Sequence, residues 1–211
     1  FHTPGPHGPA ITFLALGGSG TTMPEQYAIA TAMDRERDAA FVLHVGDMAY
    51  PAGSFTDLRE AYLKPYAAQM ARIPFYACPG NHEYYTDVLR PYMRLRVGPD
   101  DTWSYYSVQH GPVHVIAVDS NDPVQPDPAV NRMLQWLEHQ LAGSTSFWRV
   151  VIFHHPPYTA GLHQGDPFVQ LARERLAPLV ERYVVPLVLN GHEHLYQRTC
   201  PVKDGLAAPA G

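Results

Sequence analysis

Lysine is almost missing from this chain. It occurs twice in 211 residues, at Lys64 and Lys203, while histidine occurs 12 times. Lysine is ordinarily among the commonest residues. Much of the cationic capacity therefore sits on imidazoles, which titrate near neutral pH and bind metals. Positive charge is short overall: 15 Lys and Arg against 20 Asp and Glu give a formal net charge of −5. That removes the electrostatic footprint of a nucleic-acid binder. Cysteine is scarce too. Cys78 and Cys200 make no disulfide framework. A single bridge is open to them, but two free core thiols are the expectation, so cysteine leaves the compartment undetermined. No apolar run approaches the ~18 residues of a membrane helix. No leader segment is visible either: the chain starts at Phe1 without Met, as a processed or trimmed product would.

What is present suits a globular fold. A hydrophobic content of 45% with 11% aromatics can build a large core and excludes global disorder. The 21 prolines are about twice the usual share, but they are dispersed and read as loop punctuation. Residues 1–9 (FHTPGPHGP) read as an extended lead-in, and 10–211 as one domain.

Short apolar runs alternate with amphipathic ones. Strands are expected at Ile11–Leu16, Phe41–Val45, Ile73–Cys78, Trp148–Phe153 and Val184–Leu189, with a last strand at Leu195–Cys200. Trp103–Gln109 and Val113–Asp119 read as a hairpin through His110-Gly111-Pro112. Helices are expected at Glu25–Ala40, Thr56–Met70 (kinked or divided at Pro65), Ala129–Ala142, and Pro167–Arg182 with Pro178 near its end. The alternation argues for an α/β layered domain with mixed sheets.

Polar, metal-competent residues fall just after the apolar strands. Val45 leads to Gly46-Asp47-Met48-Ala49-Tyr50, and Cys78 to Pro79-Gly80-Asn81-His82-Glu83. Phe153 leads to His154-His155, and Leu189 to Asn190-Gly191-His192-Glu193-His194. Each segment alone reads as a turn or a hydrogen-bonded core histidine. Together they would deliver their side chains to the crevice beyond the strand ends, where open α/β sheets bind ligands.

This order resembles the calcineurin-like metallophosphoesterases, and within them the purple acid phosphatase branch. The resemblance runs from about residue 10 to about residue 203. Tyr50, three residues after Asp47, is the mark of the branch. Gly80-Asn81-His82-Glu83, Val151–His154, Gly191–His194, Tyr196-Gln197-Arg198 and Val118–Asn121 also match. The resemblance implies a four-layer α-β-β-α sandwich of two mixed β-sheets flanked by helices, cut short at the C-terminal end. It implies two metal ions bridged by Asp47. Tyr50 and His194 would serve the first, typically ferric iron. Asn81, His154 and His192 would serve the second, typically iron, zinc or manganese. The Val-x-x-His spacing favours His154 over His155. His82 would contact phosphate, and His163 would lie near substrate and leaving group. Asn81, His82 and His163 would thus face the substrate, a small phosphate ester that releases inorganic phosphate. No nucleic-acid or membrane partner is expected, and export from the cytoplasm is implied.

The residue types suit that chemistry. A carboxylate bridges two cations, a phenolate suits a hard trivalent ion, and imidazoles with an amide oxygen suit a divalent one. One motif departs from the family. Where it carries Gly-Asp-x-Gly, this chain has Gly17-Gly18-Ser19-Gly20, so Gly18 stands at the place of a metal-binding Asp. Ser19 is a weak neutral substitute, and Glu25 is not expected to reach. The first site is then expected to be weak or empty. Two functions remain: a metal-dependent phosphomonoesterase with a weakened first site, or an impaired relative that binds metal and phosphate without turnover. Glu83 and Glu193 read as outer-shell or solvated groups.

Overall fold

The computed structural model describes residues 10–86, 104–121 and 128–208, and side chains there except those of 128–131. The expected lead-in over residues 1–9 lies outside the described residues. The first half alternates β1 (Thr12–Leu16), α1 (Pro24–Arg35), β2 (Ala39–His44), α2 (Phe55–Asp57), α3 (Ala67–Met70) and β3 (Phe75–Ala77). The second half holds β4 (Tyr106–His110), β5 (Val113–Ala117), α4 (Pro128–Gly143), β6 (Trp148–Ile152), α5 (Pro167–Leu171), α6 (Ala177–Arg182) and β7 (Leu187–Leu189).

Two sheets result. In one, β1, β2 and β3 run parallel. In the other, β5, β6 and β7 run parallel and β4 pairs antiparallel with β5. Among the described strands only the second sheet is therefore mixed. Phe41, Leu43, Val113, Val115, Ala117, Val150 and Ile152 join one buried cluster that also holds Met33 of α1. Alternate residues of the second sheet, Ile116, Val151 and Phe153, face Met133, Leu137 and Leu141 of α4 and Leu176 and Val180 near α6. The period of two along β5 and β6 sends neighbours to opposite faces. One face meets the other sheet and one meets helices, which gives the helix–sheet–sheet–helix layering. Leu137 and Leu141 are each at most 1% exposed, and burying such a side chain contributes roughly 1.5–3 kcal/mol. No helix among the described residues is long and apolar enough to cross a membrane.

Several boundaries differ from expectation. The helix read to Ala40 stops at Arg35, because Ala39 and Ala40 already belong to β2. The Thr56–Met70 region is divided near Pro65, after a π-helical stretch Leu58–Leu63. Pro178 opens α6 instead of closing the helix, after a second π stretch, Ala172–Leu176. A proline lacks an N–H to donate and is tolerated in a first turn. The expected strand at Leu195–Cys200 is absent; those residues are exposed loop, and a short hairpin, Val202–Lys203 with Leu206–Ala207, follows. A strand needs a neighbour for its N–H and C=O groups, and Leu195 instead closes a tight turn onto Glu193 O. Both cysteines are free, but only Cys78 is buried. Burial pushes its thiol well above the ordinary range, so it stays protonated. Cys200, expected in the core, is exposed in the loop after β7.

Candidate metal centre

The parallel strands of both sheets end on one side, and their following loops meet. After β2 the chain turns abruptly through Gly46 (φ 89) and Asp47 (φ 53). Gly46 is required there: a Cβ would sit 2.5 Å from His154 Nδ1 and 2.8 Å from Gly80 N. Its absence lets the loops after β2, β3 and β6 close on one point. Aspartate is among the few side chains that adopt the left-handed region readily.

Glu83 holds this corner. Its carboxylate accepts the N–H groups of Asp47 (2.9 Å), Met48 (2.7 Å), Ala49 (3.2 Å) and Gly80 (2.8 Å). It is 1% exposed, so it is not solvated. Burial first, then the Asp47 charge, pushes its carboxyl upward, while the N–H groups favour the ionised form. Glu83→Ala would strand four buried donors. We expect it to lose at least about 3 kcal/mol, at roughly 1–3 kcal/mol per orphaned group with partial relaxation. A lowered urea midpoint with an unchanged slope would show it.

The proposed ligands converge. His154 Nδ1 donates to Val45 O (2.7 Å), which leaves Nε2 as a lone pair. That atom lies 3.1 Å from Asn81 Oδ1 and 3.3 Å from Asp47 Oδ2. His192 Nε2 lies 3.3 Å from Asp166 Oδ2, and its Nδ1 lies 3.2 Å from Asn81 Oδ1. With the tautomers these partners assign, His154 Nε2 and His192 Nδ1 face Asn81 Oδ1 as acceptors, and Asp47 Oδ2 lies beside them. Such a cluster repels itself unless a cation lies among them. A proton is the simplest such cation: burial would lower the His154 pKa, but the Asp47 carboxylate reverses this and raises it. Metal binding at such a group displaces protons.

A second group adjoins the first. Tyr50 Oη donates to Asp47 Oδ2 at 3.0 Å and lies 3.0 Å from His194 Nε2. Burial, reinforced by the Asp47 charge, raises the Tyr50 pKa. Gly18 faces this pair, with its Cβ position 3.4 Å from both Tyr50 Oη and His194 Cδ2. The Ser19 hydroxyl does not join this pair: it is engaged with His44 Nε2 at 3.0 Å. Glu25 lies exposed in the first turn of α1.

His82 donates from its backbone to Asp47 Oδ1 (3.2 Å) and from Nδ1 to Pro51 O (2.6 Å), which fixes its ring beside Tyr50. The His163 ring centroid is 4.3 Å from that of His192. His154, His155 and His192 place ring nitrogens within 4.8 Å of one another. His155, however, is tied to Ser120 through Nδ1 (2.8 Å) and stacked on Phe168. It is His154 that faces Asp47 and Asn81. Asp166 was not legible as a site residue. Its Oδ1 caps α5 through Phe168 N at 2.7 Å, and only folding turns its Oδ2 toward His192. Asp-Pro before a helix signals a cap, and nothing local signals more.

Two buried histidines are expected to weaken the fold in acid. Burial lowers His44 to about 3 and His155 to about 2. The unfolded chain takes up their protons near pH 6.5, and the folded chain refuses them until far lower. The share of stability these two histidines contribute is therefore full above about pH 6.5 and falls as pH drops, by up to about 1.4 kcal/mol per pH unit for each. Urea midpoints measured at about pH 7 and about pH 5 test this, and His44→Gln should remove one histidine's share of the slope.

The loops after β2, β3, β6 and β7 thus gather these side chains at one place. The chain belongs to the calcineurin-like phosphoesterase family, whose model matches residues 21–196. That span starts just after Gly17-Gly18-Ser19-Gly20 and contains the motifs from Asp47 to His194. Within the family it is similar to purple acid phosphatases. It is 25% identical over 216 residues to acid phosphatase type 7 of Danio rerio, covering 91% of this chain and 49% of that protein. It is 27% identical over 225 residues to purple acid phosphatase 3 of Arabidopsis thaliana, covering 93% and 61%. The chain thus spans about half to three-fifths of these relatives. Its fold matches that of a purple acid phosphatase from yellow lupin (Lupinus luteus) seeds, with a TM-score of 0.77 at 17% identity over 92% of this chain and 40% of the other. It also matches the fold of the anchor of the Plasmodium inner membrane complex, with a TM-score of 0.66 at 17% identity over 85% and 64%.

Proposed function

We propose that residues 10–211 form one domain that hydrolyses small phosphate monoesters with a two-metal site of the purple acid phosphatase type. The observation that carries this is the ring of facing acceptors: Asp47 Oδ2, Asn81 Oδ1, His154 Nε2 and His192 Nδ1. Asn81, His154 and His192 would hold a divalent ion, iron, zinc or manganese. Tyr50 and His194 would hold the other, typically ferric, with Asp47 shared between them. Such ions, when bound, supply charge to clamp a phosphoryl group and lower the pKa of water. The chain's own groups do the rest. Asp166 keeps the His192 Nε2 proton directed away from Asn81. Asn81 and His82 orient the phosphate, and His163 or His82, in its doubly protonated form, delivers the Nε2 proton to the leaving alcohol and is left neutral. Positioning and charge stabilisation dominate phosphoryl transfer. Export of the protein follows from the same reading.

Gly18 favours a second reading, a relative that binds metal and phosphate without turnover. Metal analysis of protein purified without chelators, followed by assay on an aryl phosphate, separates the two. Two metals per chain with hydrolysis supports the enzyme. Reconstituted protein that hydrolyses nothing, while Gly18→Asp does, establishes the second reading. Iron loading should also bring up a visible phenolate charge-transfer band that Tyr50→Phe removes.

A further inference from the structure

Glu193 sits between His192 and His194, yet its carboxylate is spent on a different loop. Oε1 accepts from Thr159 Oγ1 (2.9 Å) and His163 N (3.0 Å). Oε2 accepts from Leu162 N (3.1 Å) and His163 Nδ1 (3.2 Å). An ionised carboxylate offers about four lone-pair sites, and all are used. Its side chain is 5% exposed while that of His163 is 45% exposed, so the anchor is buried and the ring it holds is open. The turn is built around the anchor: a Cβ on Gly161 would overlap the Glu193 carboxylate. Gln197 braces the same turn, accepting from Ala160 N (2.7 Å) and donating to Thr159 Oγ1 (2.9 Å).

We propose that Glu193 is a positioning residue for His163: it anchors the 159–163 turn and accepts a hydrogen bond from His163 Nδ1–H, leaving Nε2 to meet the substrate. This rests on the reading of His163 as a substrate-side group. A carboxylate that accepts from one ring nitrogen fixes tautomer and orientation together. The loop after β7 thus aims a residue of the loop after β6, and the residue between two ligand positions has a task separate from metal binding.

Two variants test it. Glu193→Gln places an amide where one carboxylate oxygen was, and Gly161→Ala evicts the carboxylate while leaving both side chains in the chain. Nitrogen-15 long-range correlation spectra of metal-free protein, with the His163 signals assigned from His163→Ala, read the tautomer without any need for activity. Wild type should carry the proton on Nδ1, and both variants should move a large part of it to Nε2. In kinetics on an aryl phosphate, Glu193→Gln should lower kcat about tenfold with KM within about twofold. It should add little to the loss already caused by His163→Ala, as coupled residues do. Retention of the Nδ1 proton in both variants would overturn the proposal. So would a full Glu193→Gln effect in the His163→Ala background, or loss of metal from Glu193→Gln. An inactive wild type with the expected tautomer shift would sink the enzymatic reading and leave the positioning role standing.

Discussion

Asp47→Asn should reduce kcat/KM on an aryl phosphate by about a thousandfold, the upper range for removing one electrostatic contact at a reacting centre. It should also reduce the metal bound per chain. The substitution isolates charge. Asparagine tolerates the left-handed backbone that Asp47 adopts (φ 53), and its amide oxygen can keep the bond from His82 N. What changes is Oδ2, which faces both His154 Nε2 (3.3 Å) and Tyr50 Oη (3.0 Å). An NH2 group there donates to the His154 lone pair and fills the cluster that a cation would otherwise neutralise. The metal-free variant is therefore expected to be at least as stable as wild type, even as it loses its ions. Calorimetric titration with zinc or manganese, run beside urea denaturation, checks both halves. Unchanged stoichiometry and a rate within about tenfold of wild type would remove Asp47 from the centre of the site.

Gly18→Asp should act in the opposite direction. The Cβ position meets Tyr50 Oη and His194 at ordinary van der Waals distance, so the Cβ itself clashes with nothing and the carboxylate starts beside the proposed first ion. An added carboxylate ligand is expected to tighten that ion by about tenfold or more, which is about 1.4 kcal/mol, and to raise kcat/KM accordingly. The cost is backbone strain, because Gly18 has φ 59. That costs roughly 1–2 kcal/mol for a residue with a Cβ, and less for Asp or Asn. The metal-free variant should thus melt about 2–4 °C below wild type, with the order reversed at saturating metal. Gly18→Asn carries the same strain without the charge. If it matches Gly18→Asp in metal affinity and rate, a missing carboxylate is not what weakens the site.

The primary structure determined the parts that depend on local pattern. Apolar runs halted by Gly-Asp, Gly-Asn-His and Gly-His-Glu-His fix strands and the turns after them, because a buried strand must be continuously apolar and a sharp exit needs glycine. Parallel strands then bring their ends to one side, so Asp47, Tyr50, Asn81, His154, His192 and His194 converge. The glycine at position 18, where the resemblance expects an aspartate, was equally visible. Tertiary structure alone decided what lies behind these residues. Asp166 meets His192 only because the cap of α5 packs against the loop after β7. Glu83 and Glu193 have similar settings in the chain, each inside a motif. One closes over four backbone N–H groups of the site's own loops, and the other anchors a neighbouring turn. Ser19 turns to His44, away from Tyr50 and His194. Such contacts join loops distant in sequence. They are set by which buried donor is left unpaired once the sheets have closed, and no spacing or periodicity along the chain encodes that.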